Sequence, residues 1–168
     1  PKDRSAKRHD DVYWLNRPFI KQVTEGLSDP ETVEVFVGPG TDTYVPLEKL
    51  PRYVAGVMYL SEQIDFYLDG PLSESLIKKA MRLNMSKGRF VYGGSTVTQQ
   101  LVKNLFLTRD KTLARKIQEA LISWRIDDAI SKDRVLELYL NCIEFAPDVY
   151  GIGRAARHYF QKDASDLT

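Results

Sequence analysis

Residues 93–104 read GGSTVTQQLVKN and join a glycine pair to the start of a helix. Ser95 and Thr96 are candidate N-caps, because their hydroxyl oxygens can accept hydrogen bonds from the first turn. Amides and a cation follow within two turns, at Gln99, Gln100, Lys103 and Asn104. A helix start with spare N–H donors and a nearby cation is typical of a phosphate site. The P-loop spacing is absent, and an ordinary capped helix after a turn is the alternative.

Helical spacing continues on both sides of this stretch. Apolar residues recur every three to four positions, which is the period of a helix with one buried face. The pattern predicts helices over residues 50–68, 73–84, 96–107, 112–129, 132–141 and 149–160. Ser73, Thr112 and Ser131 stand at the starts of three of these segments and are further candidate N-caps.

A strand pattern precedes the helices. Val33, Val35 and Val37 recur at every second position and are followed by the turn sequence Gly38-Pro39-Gly40, with Tyr44 and Val45 beyond it. Alternation next to glycine and proline predicts a small β-hairpin. We therefore predict a mainly α fold with a small N-terminal β-hairpin, divided into an extension over residues 1–45 and a helical domain over residues 46–168.

Composition narrows the classes of function. The 168 residues are 43% hydrophobic, which suits one globular core. Lys and Arg number 24 against 23 Asp and Glu, so binding to nucleic acid through phosphate neutralisation is not expected. One cysteine and two histidines exclude an intramolecular disulfide and a zinc site of the usual Cys/His kind. No apolar run reaches the roughly 20 residues that span a bilayer.

Glu119 is a candidate functional carboxylate on the helix predicted over residues 112–129. An apolar stripe of that helix, expected to face the core, contains Leu113, Ile117, Ala120, Leu121 and Trp124. Glu119 lies away from this stripe, one turn after Arg115 and Lys116. The alternative is an ordinary surface ion pair with Arg115, which contributes a few tenths of a kcal/mol.

Glu62 is a second candidate carboxylate. On a helix it shares a line with Met58, Tyr59 and Phe66, so we expect it to be partly desolvated. A carboxylate in such surroundings suits proton transfer. The alternative is a boundary glutamate whose charge reaches water past its aromatic neighbours.

Together these segments resemble the glycosyltransferase domain of bifunctional penicillin-binding proteins and of monofunctional peptidoglycan transglycosylases. Residues 93–104 resemble the family's second motif, and Arg115-Lys116-Ile117-Gln118-Glu119 matches its R-K-x-x-E motif. Residues 131–141, SKDRVLELYLN, and residues 150–160 resemble later motifs. The resemblance covers residues 45–168 and implies a lysozyme-like glycosyltransferase fold for the predicted domain.

The first motif of the family, E-D-x-x-F-x-x-H-x-G, is where this chain departs from the pattern. Glu62 and Phe66 match it, whereas Gln63 replaces the aspartate and Asp69 replaces the histidine. The glycine has moved to Gly70 or is replaced by Pro71. The candidate base is therefore present, with changed residues around it.

The resemblance implies polymerisation of lipid II into β-1,4 glycan strands with inversion at the anomeric carbon. Glu62 would remove the proton from the acceptor 4-hydroxyl, and Glu119 would act near the phosphates as the second catalytic carboxylate. Basic and polar groups would bind the pyrophosphate and the sugars. The substrate-binding residues expected on this basis are Ser95, Thr96, Gln99, Gln100, Lys103, Asn104, Arg115, Lys116 and Asn141.

The same resemblance implies partners and a location. We expect lipid II and the growing glycan strand as partners, together with the membrane surface, a transpeptidase domain or other proteins of cell-wall synthesis, and no nucleic acid. A divalent cation such as Mg²⁺ or Mn²⁺ is a candidate cofactor. The expected location is the bacterial cell envelope, at the outer face of the cytoplasmic membrane, with this chain an excised fragment lacking its anchor.

Two other functions stay open from the sequence. A non-catalytic relative that binds lipid-linked glycan is one, because Gln63 and Asp69 depart from the first motif. A lysozyme-like enzyme that cleaves glycan is the other, because a single acidic residue can serve such a reaction. The cations at Lys103, Arg115 and Lys116 favour a pyrophosphate leaving group over cleavage of a neutral glycan.

Overall fold

A computed structural model describes residues 13–25, 31–89, 91–107 and 112–168. They divide into two units: the described residues up to Arg52 together with Glu137–Thr168, and Tyr53–Leu136. Six α-helices make up about half of the described residues and are their main secondary structure. The prediction of a mainly α fold is confirmed, and the boundary predicted between residues 45 and 46 stays a prediction.

The first unit begins with an antiparallel strand pair. Strands β1, Phe19–Glu25, and β2, Glu31–Val37, pair from Phe19 opposite Val37 to Glu25 opposite Glu31. The predicted N-terminal hairpin is thus confirmed. The expectation that β2 pairs with the segment after residues 38–40, at Tyr44 and Val45, was wrong, because its partner is β1.

Helix α5, Lys132–Cys142, explains why the chain after β2 does not form a strand. The hydroxyl of Tyr44 donates to Glu137, and the backbone N–H of Leu47 donates to the same carboxylate over 2.6 Å. Val45 exchanges two 2.8 Å hydrogen bonds with the amide of Asn141. These side chains satisfy backbone groups that a strand partner would otherwise bind.

The rest of the first unit is built on the end of α5, Lys132–Cys142, whose residues from Glu137 onward belong to it. Strands β3, Glu144–Ala146, and β4, Val149–Tyr150, form a second antiparallel pair that leads into α6, Ile152–Phe160. A Cβ at Gly153 would lie 2.2 Å from the carbonyl oxygen of Thr43. Only glycine therefore lets α6 approach this segment so closely.

The second unit contains α1, Arg52–Glu62, from Tyr53 onward, α2, Glu74–Lys87, α3, Val97–Phe106, α4, Leu113–Ala129, and the first part of α5. Ser73, Thr96, Thr112 and Ser131 each accept a hydrogen bond from a first-turn N–H, which confirms them as caps. The core of this unit includes Phe66, Val97, Leu101, Val102, Val135 and Leu136, none of which is exposed.

Helix α1 ends six residues earlier than predicted. Its last residue is Glu62, and the following residues turn through bonds such as Phe66 N–H to the carbonyl of Gln63, at 3.1 Å. This turn buries Phe66 completely. Glu62 therefore lies at a helix end and not in the middle of a helix.

Helix α4 has the opposite orientation from the one expected. Leu113 is 77% exposed, and Ile117, Leu121 and Trp124 are each more than half exposed, so the prediction that this stripe faces the core was wrong. Glu119, Ser123 and Ile126 are buried instead. The polar face can be buried because cations neutralise Glu119 and the hydroxyl of Ser123 donates to the backbone carbonyl of Glu119.

Candidate active site

The candidate base, Glu62, is held by helix α3. Glu62 is half-buried at the end of α1, and its Oε2 accepts a 2.8 Å hydrogen bond from Nε2 of Gln100 in α3. The rings of Tyr59, Phe66 and Tyr67 pack against one another beside this helix end, with centroids 5.0–5.9 Å apart. Glu62 thus has an amide donor on α3, and its contact with these aromatic rings stays a prediction.

Tyr67 also bonds to the start of α5. Its hydroxyl donates to Oδ1 of Asp133 over 2.9 Å. Partial burial, followed by this hydrogen bond and the negative charge of Asp133, raises the pKa of Tyr67 to about 12. The phenol is therefore neutral at physiological pH and acts as a donor.

The start of α3 is closed by a capping box. Thr96 Oγ1 accepts from the Gln99 N–H, and Gln99 Oε1 accepts from the Thr96 N–H, both over 3.1 Å. The Thr96 hydroxyl also donates to the carbonyl oxygen of Pro71 over 2.8 Å. Both side chains are buried. These contacts give Thr96 and Gln99 a structural role, and substrate contacts by them stay a prediction.

The loop before α3 is fixed by α2. The side-chain oxygen of Asn84 accepts from the N–H groups of Val91 and Tyr92, and its amide nitrogen donates to the Tyr92 carbonyl over 2.9 Å. A Cβ at Gly94 would lie 3.1 Å from the Cα of Ile77. The glycine thus lets the loop run close to the α2 backbone, and Asn84 holds it there.

A cluster of charges lies where this loop meets α4. Nη1 of Arg115 donates to Oε2 of Glu119 over 2.8 Å, and Nζ of Lys116 donates to Oε1. Lys116 Nζ also donates to the hydroxyl of Ser95 over 2.8 Å. Glu119 is 1% exposed, so the surface-pair alternative does not describe it. Two cations around one carboxylate leave a net positive charge beside the start of α3.

Two cationic side chains, one in this cluster and one on α3, are the candidates for binding an anion. Arg115 Nε is buried and has no hydrogen-bond partner among the described residues. Lys103 is exposed on α3. Asn104 instead donates its amide to the carbonyl of Gln100 over 2.9 Å. Buried cationic donors without acceptors are costly, and an anionic ligand is the usual partner for such groups.

One predicted site residue lies in the other unit. Asn141 is 4% exposed, and its amide bonds both backbone groups of Val45 and the carbonyl of Glu137. This arrangement gives Asn141 a structural role, and its contact with substrate stays a prediction. The other predicted residues all belong to the second unit, namely Glu62, Ser95, Thr96, Gln99, Gln100, Lys103, Asn104, Arg115, Lys116 and Glu119.

Three residues that sequence reasoning did not place in the site, Asn84, Gln63 and Asp69, fix the segments that carry it. Asn84 carried no signal, since it occupies an unremarked helix position. Gln63 and Asp69 were noted only as departures from a motif, yet the amide of Gln63 donates to Oδ2 of Asp69 over 3.1 Å. Their spacing of six residues follows no helical period, so a contact between them could not be read from a helix pattern.

The described residues offer no protein-only metal site. No group of three or more His, Cys, Asp or Glu among them is arranged to hold an ion. Both oxygens of Glu119 already accept hydrogen bonds from cations. The expectation of Mg²⁺ or Mn²⁺ therefore stays a prediction without a ligand set among these residues.

Comparison with known proteins identifies related chains. A family model described as Transglycosylase matches residues 30–168. The chain is 41% identical over 162 residues to the biosynthetic peptidoglycan transglycosylase of Nitrosospira multiformis, covering 94% of this chain and 69% of that one. It is 40% identical over 126 residues to the protein of that name from Paraburkholderia xenovorans, covering 75% and 52%.

A longer relative extends the similarity. The chain is 37% identical over 164 residues to penicillin-binding protein 1A of Aquifex aeolicus, covering 92% of this chain and 22% of that one. The matches to the Paraburkholderia and Aquifex proteins thus span about half and about a fifth of those relatives. The family match begins at residue 30, ahead of strand β2.

Proposed function

This chain belongs to the transglycosylase family, and we propose that it polymerises lipid II into β-1,4 glycan strands with inversion at the anomeric carbon. The names of its relatives, biosynthetic peptidoglycan transglycosylase among them, support this reaction. The site supports it through a half-buried carboxylate bonded to α3 and through two cations, Arg115 and Lys116, that pair with Glu119.

Glu62 acts as the base in this proposal. It accepts the proton of the acceptor 4-hydroxyl while that oxygen forms a bond to the donor anomeric carbon. The bond from this carbon to the lipid pyrophosphate breaks, and attack from the opposite face inverts the configuration. The hydrogen bond from Gln100 keeps the Glu62 carboxylate in place for the acceptor.

The departing pyrophosphate is stabilised by the cations. Lys103, Arg115 and Lys116 supply charge-assisted donors, as a leaving group with developing negative charge requires. Glu119 holds Arg115 and Lys116 in position through its two oxygens. The capping box already occupies N–H groups at the start of α3, so we assign the phosphates to these side chains and not to the helix terminus.

The observation that carries the proposal is that α3 and the residue before its cap are hydrogen-bonded to both groups. Gln100 of α3 holds the base, and Ser95, immediately before its cap, holds Lys116. Ser95 and Gln100 are only five positions apart in the sequence. Attack and departure take place at opposite faces of one carbon, so a base and a cation held by the same short segment suit this chemistry.

A lipid-linked substrate places the enzyme at a membrane surface, and we propose the outer face of the cytoplasmic membrane. No helix among the described residues has the length and apolar composition to span a bilayer. The exposed apolar stripe of α4 supports contact with lipid, because a contiguous apolar face on a protein surface usually marks an interaction site. A transpeptidase domain or another protein of cell-wall synthesis is the proposed partner.

Incubation of the protein with lipid II tests the proposal. Appearance of glycan polymer, together with release of lipid pyrophosphate, is the expected result. Cleavage of preformed glycan without polymerisation would assign a hydrolase, and binding of lipid II without any product would assign a binding protein. Either result contradicts the proposed reaction.

A further inference from the structure

Gln63 follows Glu62 directly and is one of the most deeply buried polar residues of its unit, with 2% exposure. Its backbone N–H donates to the carbonyl of Tyr59 over 2.7 Å and so closes the last turn of α1. Its side chain leaves the helix and enters the space between the end of α1 and the start of α3. A buried amide of this kind requires partners for both its oxygen and its nitrogen.

Both partners are present. Oε1 of Gln63 accepts from the N–H of Val97 over 3.1 Å, and Nε2 donates to Oδ2 of Asp69 over 3.1 Å. Val97 is the first residue of α3, where a backbone N–H has no partner within the helix. A donor at one end and an acceptor at the other fix the orientation of the amide, since the reverse orientation would place N–H against N–H at Val97.

These bonds run parallel to the one that holds the base. Glu62 and Gln63 are neighbours at the end of α1, and their partners Gln100 and Val97 lie three residues apart on α3. Two adjacent residues are thus fixed to one turn of the same helix. A shift of Gln63 would move the end of α1 and with it the Glu62 carboxylate.

We infer that Gln63 is a positioning residue for Glu62, and that Asp69 is the acceptor that allows a glutamine to serve there. The inference rests on the proposed function, in which Glu62 is the base. Gln63 stands where the first motif has Asp, and Asp69 stands where it has His. These two replacements are then a matched pair and not a loss of function. In this chain residue 63 supplies the donor and residue 69 the acceptor of this hydrogen bond.

The hydrogen bond between Gln63 and Asp69 predicts that a change at one residue can be compensated by a change at the other. Gln63→Glu alone places a second carboxylate against Asp69, so we expect turnover to fall by about tenfold to a hundredfold through misplacement of Glu62, with KM changed by less than about threefold. Gln63→Glu with Asp69→Asn restores one donor and one acceptor and keeps the total charge of the wild type. This double variant should recover most of the lost turnover.

The acid limb of the pH profile separates positioning from general stability. In the double variant the negative charge has moved from residue 69 to residue 63, next to Glu62. A neighbouring negative charge disfavours the ionised form of a carboxyl group, so the acid limb of kcat should move to higher pH. Gln161→Glu with Asp128→Asn, the same exchange at two exposed residues, is the control and should leave the limb in place.

The experiment compares the wild type, Gln63→Glu, Asp69→Asn, the double variant and the control. Three quantities are measured for each protein: lipid II polymerisation, urea unfolding and the ¹³C titration of the Glu62 carboxyl. Recovery in the double variant with a raised acid limb supports the inference. An active Gln63→Glu variant, or a double variant that is no better than Gln63→Glu, overturns it. If Gln63→Glu does not fold, a folded and active double variant supports the pairing, and an unfolded or inactive one overturns it.

Failure of the proposed function gives a different result. A wild type that makes no polymer contradicts the reaction, while the unfolding cycle and the Glu62 titration are still measured. Coupling between positions 63 and 69 in unfolding, with a Glu62 midpoint that rises in the double variant, then supports the positioning of Glu62. Additive unfolding energies or an unchanged midpoint overturn it.

Discussion

Nε2 of Gln100 donates a 2.8 Å hydrogen bond to Oε2 of Glu62, and this bond joins the second turn of α3 to the last residue of α1. An amide donor adds no charge of its own to the site. The bond therefore fixes the position of the carboxylate that we propose as the base.

Glu62→Gln is expected to abolish polymerisation with little change in stability. The substituted amide keeps the size of the side chain, and its oxygen can still accept from Gln100, but it cannot take a proton at neutral pH. The measurement is the rate of polymer formation from lipid II, with thermal unfolding as the check on folding. Glu48→Gln, at an exposed glutamate, is the control. Undiminished polymerisation by a folded Glu62→Gln variant would remove Glu62 from the mechanism.

Lys103→Ala is expected to weaken binding of a lipid pyrophosphate, or of a phosphoglycolipid inhibitor like moenomycin, by about 1.5–3 kcal/mol. Lys103 is exposed on α3, so its removal should cost little stability. Calorimetric titration of wild type and variant gives the difference. Lys162→Ala removes an exposed cation elsewhere and serves as the control. Equal affinities of Lys103→Ala and the wild type would place the phosphates elsewhere.

Glu119→Gln is expected to lower the free energy of unfolding by about 1–3 kcal/mol, because Arg115 and Lys116 lose a buried counter-charge. Lys116 is partly exposed and can turn toward water, which limits the loss. Urea unfolding measures the change. Glu74→Gln breaks an exposed pair with Lys78 and should cost less than about 0.5 kcal/mol. Equal costs at the two positions would contradict the role assigned to Glu119.

Tyr67→Phe is expected to make stability less dependent on pH in the alkaline range. The pKa of Tyr67 is raised to about 12 in the folded chain, against 10.0 for the unperturbed side chain. The folded protein therefore keeps this proton between about pH 10 and 12 while the unfolded chain loses it, so stability falls as pH rises through that range. Urea unfolding at several pH values compares the slopes. A Tyr67→Phe slope equal to that of the wild type would argue against the Asp133 bond.

Leu121→Glu combined with Trp124→Glu is expected to reduce binding to lipid vesicles by at least about tenfold, because both side chains belong to the exposed apolar stripe of α4. Co-sedimentation with vesicles of phosphatidylglycerol and phosphatidylcholine measures the partition. Ser165→Glu with Lys162→Glu, at exposed positions in the other unit, tests whether added charge alone has this effect. Retained binding by the α4 variant would assign membrane contact to another surface.

The sequence predicts the helices of the second unit well, because local signals determine them. The caps at Ser73, Thr96 and Thr112 depend on hydrogen bonds within one turn, so they can be read from short stretches. The mainly α, lysozyme-like transglycosylase fold was accessible in the same way, through motifs whose residues are close in sequence. The contact of Lys116 with Glu119, one turn apart, is of this local kind.

The features that sequence reasoning missed depend on distant partners. The early end of α1 follows from Gln63, whose side chain bonds Val97, 34 residues away. Tyr44 and Val45 bond to residues of α5, more than 90 positions away in the sequence. A strand pattern cannot reveal such a partner. Helix periodicity gives the faces of α4 but not which of them is buried, because that depends on contacts with other segments, such as the bond from Lys116 to Ser95, 21 residues away.

The outward apolar stripe of α4 also has a consequence for handling the protein at the bench. The stripe exposes four large apolar side chains to solvent, namely Leu113, Ile117, Leu121 and Trp124. In buffer without detergent such surfaces on different molecules associate, so the apparent molecular mass should rise with protein concentration. A mild detergent that covers the stripe should return the protein to a monodisperse state without unfolding it. Preparation conditions, and not only the choice of substrate, will then decide whether activity is seen.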